Sequence, residues 1–291
     1  MSFRIGLIGC GRVGSFWLRA ASVSGHRVDA RVRNISSTPG DLRGQVQGFE
    51  SLNRADWADF DFVIITAPED ALKSICARIR NVVCDADGVQ GPLVVHTSGV
   101  ASHELLGLYG LDVAKCGAIH PLFPFRSANE SPTGEAVIHG ISGPSLVVEK
   151  SAALIRSLDG RSFPLKSEQR ALYHLACVLA SNHVVTLAAL AQMLGDEVSE
   201  EPGVLKVALT NLMRASVENL QMVSDPSEAL SGPVSRGDVE TLAKHFDALE
   251  DRPELAELYR HLIKHTVPLA PTEHKEALGR FMTSKTSTKS E

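Results

Sequence analysis

The sequence predicts an α/β chain, with a doubly wound, mostly parallel sheet in the N-terminal half and an all-helical domain after it. Three features lead there. Up to about residue 163, short β-rich runs alternate with stretches of helical spacing, the pattern of strands joined by crossover helices. A glycine-rich hexamer joins the first strand to the first helix. Beyond Phe163 the apolar residues recur only at helical intervals. The expected domains are 1–163 and 164–282, followed by a Ser/Thr/Lys-rich tail, 283–291, that would fray.

Phe3 to Ile8 reads as the first strand, Arg12 to Ala21 as the first helix and Arg27 to Arg33 as the next strand. Asp61 to Thr66 is a nearly continuous apolar run, as expected of a strand covered on both faces. Glu69 to Ile79 reads as a helix and Pro92 to His96 as another buried strand. Val113 to Ile119 and Ser145 to Val148 read as the remaining strands. Helices are then predicted over Ser167 to Leu194, Val204 to Met222, Val239 to Leu249, Leu255 to Leu269 and Glu273 to Phe281. Pro202, Pro226, Pro233, Pro253 and Pro271 fall at their joints.

Composition narrows the function. A net charge of −5 argues against a broad basic surface for nucleic acid, and 5% aromatics against a base-stacking one. Cys10, Cys76, Cys84, Cys116 and Cys177 are odd in number and form no CxxC pair, so neither a disulfide framework nor a zinc or other metal site is expected. The first apolar run is too short for a signal peptide. Ala171 to Leu194 is long enough to raise the question of a membrane. His174, Ser181, Asn182, His183 and Gln192 interrupt it, so a buried helix of a soluble, cytoplasmic protein is expected.

Gly9-Cys10-Gly11-Arg12-Val13-Gly14 follows a strand and opens a helix, the context in which G-x-G-x-x-G marks a dinucleotide site. Gly9 would allow the tight turn, Gly11 the approach of a pyrophosphate, and Gly14 close packing of helix on strand. Amides around Arg12 and Val13 would face the phosphates. A site for NAD usually has an acid about 20 residues on, for the ribose 2′-hydroxyl. Arg33 stands nineteen residues after Gly14, with Ser36 close behind and Asp29 earlier, inside the strand. A guanidinium with nearby hydroxyls suits a 2′-phosphate, so NADP is the expected cofactor; the alternative for Arg33 is a solvated surface side chain.

Two further strand ends would share that sheet edge. Thr66-Ala67-Pro68 would leave room for the second ribose, and Thr97 and Ser98 of His96-Thr-Ser-Gly99 would bind nicotinamide or substrate, or cap a helix. His120, before Pro121, would donate a proton as hydride arrives at carbon, or be a packed structural histidine. His174 and Ser181, seven residues apart, share a helix face with Asn182 nearby, and would meet either a ligand or a neighbouring helix. Arg236 would hold a substrate carboxylate, while Asp238 more simply caps the next helix.

Gly9-x-Gly11-x-x-Gly14, His96-Thr-Ser-Gly99, His120-Pro121, Tyr173-His174 with Ser181-Asn182, and Gly232-Pro233 with Arg236-Gly237-Asp238 together resemble a known family. It joins a Rossmann-like NADP-binding domain to a C-terminal helical domain of unknown function. More distantly it is similar to ketopantoate reductase, pyrroline-5-carboxylate reductase and the 3-hydroxyacid dehydrogenases. The resemblance implies an NADPH-dependent reductase of a small carbonyl or imine, such as a ketopantoate-like 2-keto acid, and a homodimer built through the helical domain. The nicotinamide would face a cleft between the domains. His120 or His174 would supply the proton, Ser181 and Asn182 would hold the carbonyl, and Arg236 would orient an anionic group. In one respect the chain departs from those relatives: it has no lysine between Arg170 and Asn182, where hydroxyacid dehydrogenases carry a catalytic one. The competing expectation is an NADP-sensing or partner-binding protein without catalysis.

Overall fold

β1 (Arg4–Ile8) is buried almost throughout and runs through the Gly9 turn into α1 (Arg12–Val23), which buries Phe16, Trp17, Leu18 and Ala21. β2 (Arg27–Val32), β3 (Val46–Gly48), β4 (Phe62–Ile65), α2 (Leu72–Val83), β5 (Leu93–His96), α3 (Glu104–Leu108) and β6 (Cys116–Pro121) follow. β7 (Ile138–Ser142), α4 (Ser145–Ser157) and β8 (Arg161–Pro164) complete the sheet. The computed structural model describes residues 2–52, 57, 59–83, 91–130, 137–201 and 203–284. Cys84, Pro202 and the tail beyond 284 lie outside the described residues.

The eight strands lie in the order β3-β2-β1-β4-β5-β6-β7-β8, parallel except for the antiparallel β6–β7 pair. The chain leaves β1 for one side of the sheet and returns to its other side at β4. The resulting switch point, between β1 and β4, is where open α/β sheets bind ligands. Alternate residues of β4 serve opposite faces. Phe62 and Ile64 join the core with Leu7, Phe16, Trp17 and Leu154, while Val63 and Ile65 join Trp57, Leu72, Ile79 and Leu106. Cover on both faces is why this strand reads as an unbroken apolar run.

Three expectations need correction. Ser145 to Val148 is not a strand but the first turn of α4; the strand lies earlier, at Ile138–Ser142. A four-residue apolar run does not reveal its period, and Pro144 as N-cap settles it as helix. β3 and β8 add to the expected strands: β3 is only three residues long, and β8, Arg161–Pro164, is part-exposed with Phe163 as its one large apolar residue, so neither shows an apolar run. The predicted buried helix over Ser167 to Leu194 is two helices, α5 (Arg170–Ala180) and α6 (Asn182–Val198), and its apolar surface is largely exposed. Leu172, Leu175, Leu179 and Val185 are 72%, 51%, 56% and 69% exposed. Ser181 marks the break, at φ −125° and ψ −70°, with its hydroxyl donating to the Cys177 carbonyl and to Asn182 Oδ1. The apolarity of this segment says that a face leaves water; it does not say which body covers it.

α7 (Val204–Met222), α8 (Val239–Asp247), α9 (Pro253–Thr266) and α10 (Thr272–Ser284) follow, and α10 carries the chain one residue past the expected start of fraying. Contacts divide the chain into two compact units, Met1–Val184 and Val185–Glu291, so that α5 belongs with the sheet. The second unit has its own core of Val234, Leu242, Phe246, Ile263, Ala270 and Leu278.

Candidate functional site

At the switch point Gly9 has φ +99°, a left-handed conformation that suits glycine. A Cβ on Gly14 would fall 2.3 Å from the Gly9 carbonyl oxygen and 2.6 Å from Thr66 Oγ1, so α1 lies against the strand ends only because no side chain intervenes. A Cβ on Gly11, by contrast, would meet nothing within 4 Å. Open space beside the first turn of a twelve-residue helix that has no acid there is what a pyrophosphate requires, and the loop fits the expected dinucleotide. Cys10 is buried, which holds its thiol protonated, and Ser15 donates to its carbonyl. Arg12 donates to Phe125 O at 3.3 Å, and Arg19 to Ala128 O at 2.6 Å, so the loop leaving β6 is tied across α1.

Thr66 donates to Ile8 O and Gly9 O, at 3.2 and 3.1 Å; its hydroxyl holds the turn together, and Ala67 and Pro68 continue from it. At the end of β2, Arg33 is exposed, and Asn34 Oδ1 accepts from both the amide and the hydroxyl of Ser36. Asp29 is occupied within the strand by a bidentate contact from Arg31 and by Trp57 Nε1. Arg43, which sequence reasoning missed, donates to Ser36 O and Thr38 O and brings a second guanidinium to this loop.

At the end of β5, His96 is fully buried and fixes the next turn. Its Nε2–H donates to Ser102 O at 3.1 Å, and its Nδ1 accepts from Ser98 N at 3.2 Å. Ser98 Oγ donates to Glu69 Oε2 and accepts from Ala101 N, a turn contact and not the expected helix cap: the next helix, α3, starts at Glu104 with His103 as its N-cap. The Thr97 amide extends the β4 pairing through Ile65 O.

His120 and Tyr173 form the center of the remaining cluster, with 2.7 Å between His120 Nδ1 and the Tyr173 hydroxyl. Their rings meet edge to face at 5.6 Å, and the His174 ring lies 6.2 Å from that of His120. Both imidazoles press on Gly99, where a Cβ would come 2.4 Å from His174 Cδ2 and 3.0 Å from His120 Nε2. Burial, and then the nearby Arg170 charge, push the His120 pKa down to about 4, so the ring is neutral at pH 7. Burial raises that of Tyr173 far above the usual phenol value. Arg170, 1% exposed, donates to Ser142 Oγ at 2.7 Å and to the Ser98 carbonyl, locking the Ser98–Gly99 turn to the end of β7.

The structure therefore brings His120 and His174 together with Gly99. It adds Tyr173, which the sequence offered only as part of the Tyr173-His174 motif, and Arg170, which it offered only as one bound of the stretch without lysine. Tyr173 was visible as a neighbour of His174, but a phenol on a helix carries no signal of the strand it will reach. Ser181 and Asn182 form the α5–α6 joint, where the Ser181 hydroxyl bonds to Cys177 O and Asn182 Oδ1. Arg236, in the second unit, precedes Asp238, whose side chain caps α8 through Thr241 N at 3.0 Å.

Residues 137–266 match the family described as a domain of unknown function, DUF2520. No curated protein matches the sequence. Among solved structures the chain resembles the protein TM1727 from Thermotoga maritima, at 21% identity and a TM-score of 0.71, covering 92% of this chain and 99% of that one. It also resembles a candidate NADP oxidoreductase, BF3122, from Bacteroides fragilis, at 21% identity, TM-score 0.68 and coverage of 90% and 96%. The pyrroline carboxylate reductase of Plasmodium falciparum, solved with NADP bound, gives 12% identity, TM-score 0.61 and coverage of 99% and 98%. These likenesses establish the fold: a Rossmann-like sheet followed by helices.

Proposed function

We propose that the chain is an NADPH-dependent reductase of a small carbonyl or imine substrate. One observation carries this reading. The parallel strands β1, β4, β5 and β6 end on one edge of the sheet, and the glycine-rich turn and the His120–His174 pair lie at that edge, which supports an anion-binding turn facing the two imidazoles. Gly9 to Gly14 would hold the pyrophosphate, and Arg33 with Ser36 and Arg43 the 2′-phosphate. Bound NADPH would supply a hydride. Neutral His120 would present a proton to the substrate oxygen or nitrogen, beside Gly99 and His174. Likeness to proteins that reduce pyrroline carboxylate or carry NADP supports the class of reaction.

NADPH oxidation across a panel of 2-keto acids and cyclic imines tests the proposal: turnover of any member supports it. The second reading, a sensor that binds NADPH without turnover, is favoured by the hydroxyls of Thr66, Ser98 and Ser181, all engaged within the chain. Binding without turnover of any panel member would select it. Arg33→Ala should weaken NADPH roughly tenfold and leave NADH within about twofold, as expected when a charge contact is lost to one ligand alone.

We also propose that a second copy of the chain covers the exposed leucines of α5. Segment 167–198 is long and apolar enough to cross a membrane. His183, exposed within it, fits a protein partner better than lipid.

A further inference from the structure

We propose that Tyr173 is a positioning residue that sets the tautomer of His120, placing its proton on Nε2, toward Gly99. The inference rests on the reductase reading for its purpose, but its physical content stands apart from it.

The phenol has a built seat. In the antiparallel β6–β7 pair His120 faces Gly140 directly. A Cβ on Gly140 would lie 3.2 Å from the Tyr173 oxygen and 3.3 Å from its Cζ, so this glycine gives the ring room beside His120. Phe163 of β8, which pairs with Gly140, meets the same ring edge-on at 5.9 Å. The hydroxyl is thereby held 2.7 Å from Nδ1, a short contact between two uncharged groups.

Only one proton lies between those two atoms. A phenol O–H is a better donor than an imidazole N–H, and an imidazole nitrogen a better acceptor than a phenol oxygen. The hydroxyl therefore donates to Nδ1. Neutral imidazole carries its single proton on the other nitrogen. Cys177, one turn along α5, also neighbours the hydroxyl. The reverse arrangement would have imidazole donate to phenol and phenol to the thiol. It is disfavoured because sulfur is a weak acceptor. With Tyr173 in place, Nε2 becomes a fixed donor beside Gly99, where a Cβ would stand 3.0 Å from it. A reductase needs a donor there to meet the oxygen or nitrogen that gains charge as hydride arrives.

The test is long-range proton–nitrogen NMR on full-length protein labelled with nitrogen-15 histidine, at pH 7, with His120 assigned by substitution. The expected spectrum shows a protonated Nε2 and an unprotonated, hydrogen-bonded Nδ1. In Tyr173→Phe the Nδ1 signal should shift and a tautomer mixture appear. Gly140→Ala, which crowds the phenol without removing it, should shift the same signal less. A proton on Nδ1 in the wild type, or His120 signals unmoved in Tyr173→Phe, would overturn the proposal. With any substrate from the panel, Tyr173→Phe should lower kcat roughly tenfold and leave the KM for NADPH within about twofold, since the altered hydrogen bond acts at the chemical step. Loss of NADPH affinity instead would count against it. If the wild type takes up no NADPH, the reductase reading fails while the tautomer result stands by itself.

Discussion

Gly99 carries two imidazoles on a residue with no side chain of its own. Replacement by alanine would place a methyl 2.4 Å from His174 Cδ2 and 3.0 Å from His120 Nε2. His120 cannot yield freely, because it is tied to Tyr173, and the Ser98–Gly99 turn cannot withdraw, because it is tied to Arg170. Gly99→Ala is expected to cut turnover by about 100-fold, the cost of misplacing reacting groups by about 1 Å, with NADPH affinity held within about twofold. Equilibrium binding beside steady-state rates checks this, and a variant as active as the wild type would separate His174 and His120 from the chemistry. Arg170 offers a second prediction. A buried guanidinium bound to a carbonyl and a hydroxyl leaves both without a partner when it is removed, so Arg170→Met should destabilise the fold by about 2–4 kcal/mol, measurable by urea unfolding.

Among the elements, α5 has two faces with different duties. One carries Arg170, Tyr173 and His174 onto the ends of β5, β6 and β7. The other shows Leu172, Leu175 and Leu179 to solvent. If a second copy covers that face, Leu175→Glu combined with Leu179→Glu should convert dimer to monomer in sedimentation at micromolar concentration, because two buried charges without partners outweigh a typical association energy. A wild type that is already monomeric, or a dimer unmoved by the pair, would direct attention to another surface. Helical spacing shows that α5 has an apolar stripe; it does not show that the polar positions meet strand ends some 50–70 residues earlier in the chain. The β6–β7 register, which sets Gly140 opposite His120, is equally silent in the sequence, since β7 leaves only a short apolar mark.

For the whole molecule, buried histidines tie stability to pH. His96 and His139 are 0% and 1% exposed, and burial pushes the pKa of each from 6.5 down to about 4. The unfolded chain therefore binds more protons than the folded one between these values, and stability falls as pH falls through that window. At about 1.4 kcal/mol per pKa unit, each imidazole contributes on the order of 3 kcal/mol at neutral pH that is lost by pH 4. Two such groups account for much of an ordinary folding free energy of about 5–15 kcal/mol. Urea midpoints should drop steadily from pH 7 to pH 4, and His139→Phe should flatten the profile; a midpoint constant over that range would show that these rings are protonated in the fold.

The order of hydrophobic periods was enough to determine a parallel sheet followed by helices, because strand and crossover helix each imprint their own repeat on the chain. The glycine turn was equally legible, since its residues are neighbours in sequence and a strand and helix flank them. The end of β2 was readable for the same reason: Arg33, Asn34 and Ser36 lie on one short loop. Tertiary structure alone decided that Tyr173 meets His120, that Arg170 holds the Ser98 carbonyl, and that α5 leaves its leucines in water. Each of these depends on sheet order and register, which bring distant residues within hydrogen-bonding distance, and a linear pattern carries no measure of that distance.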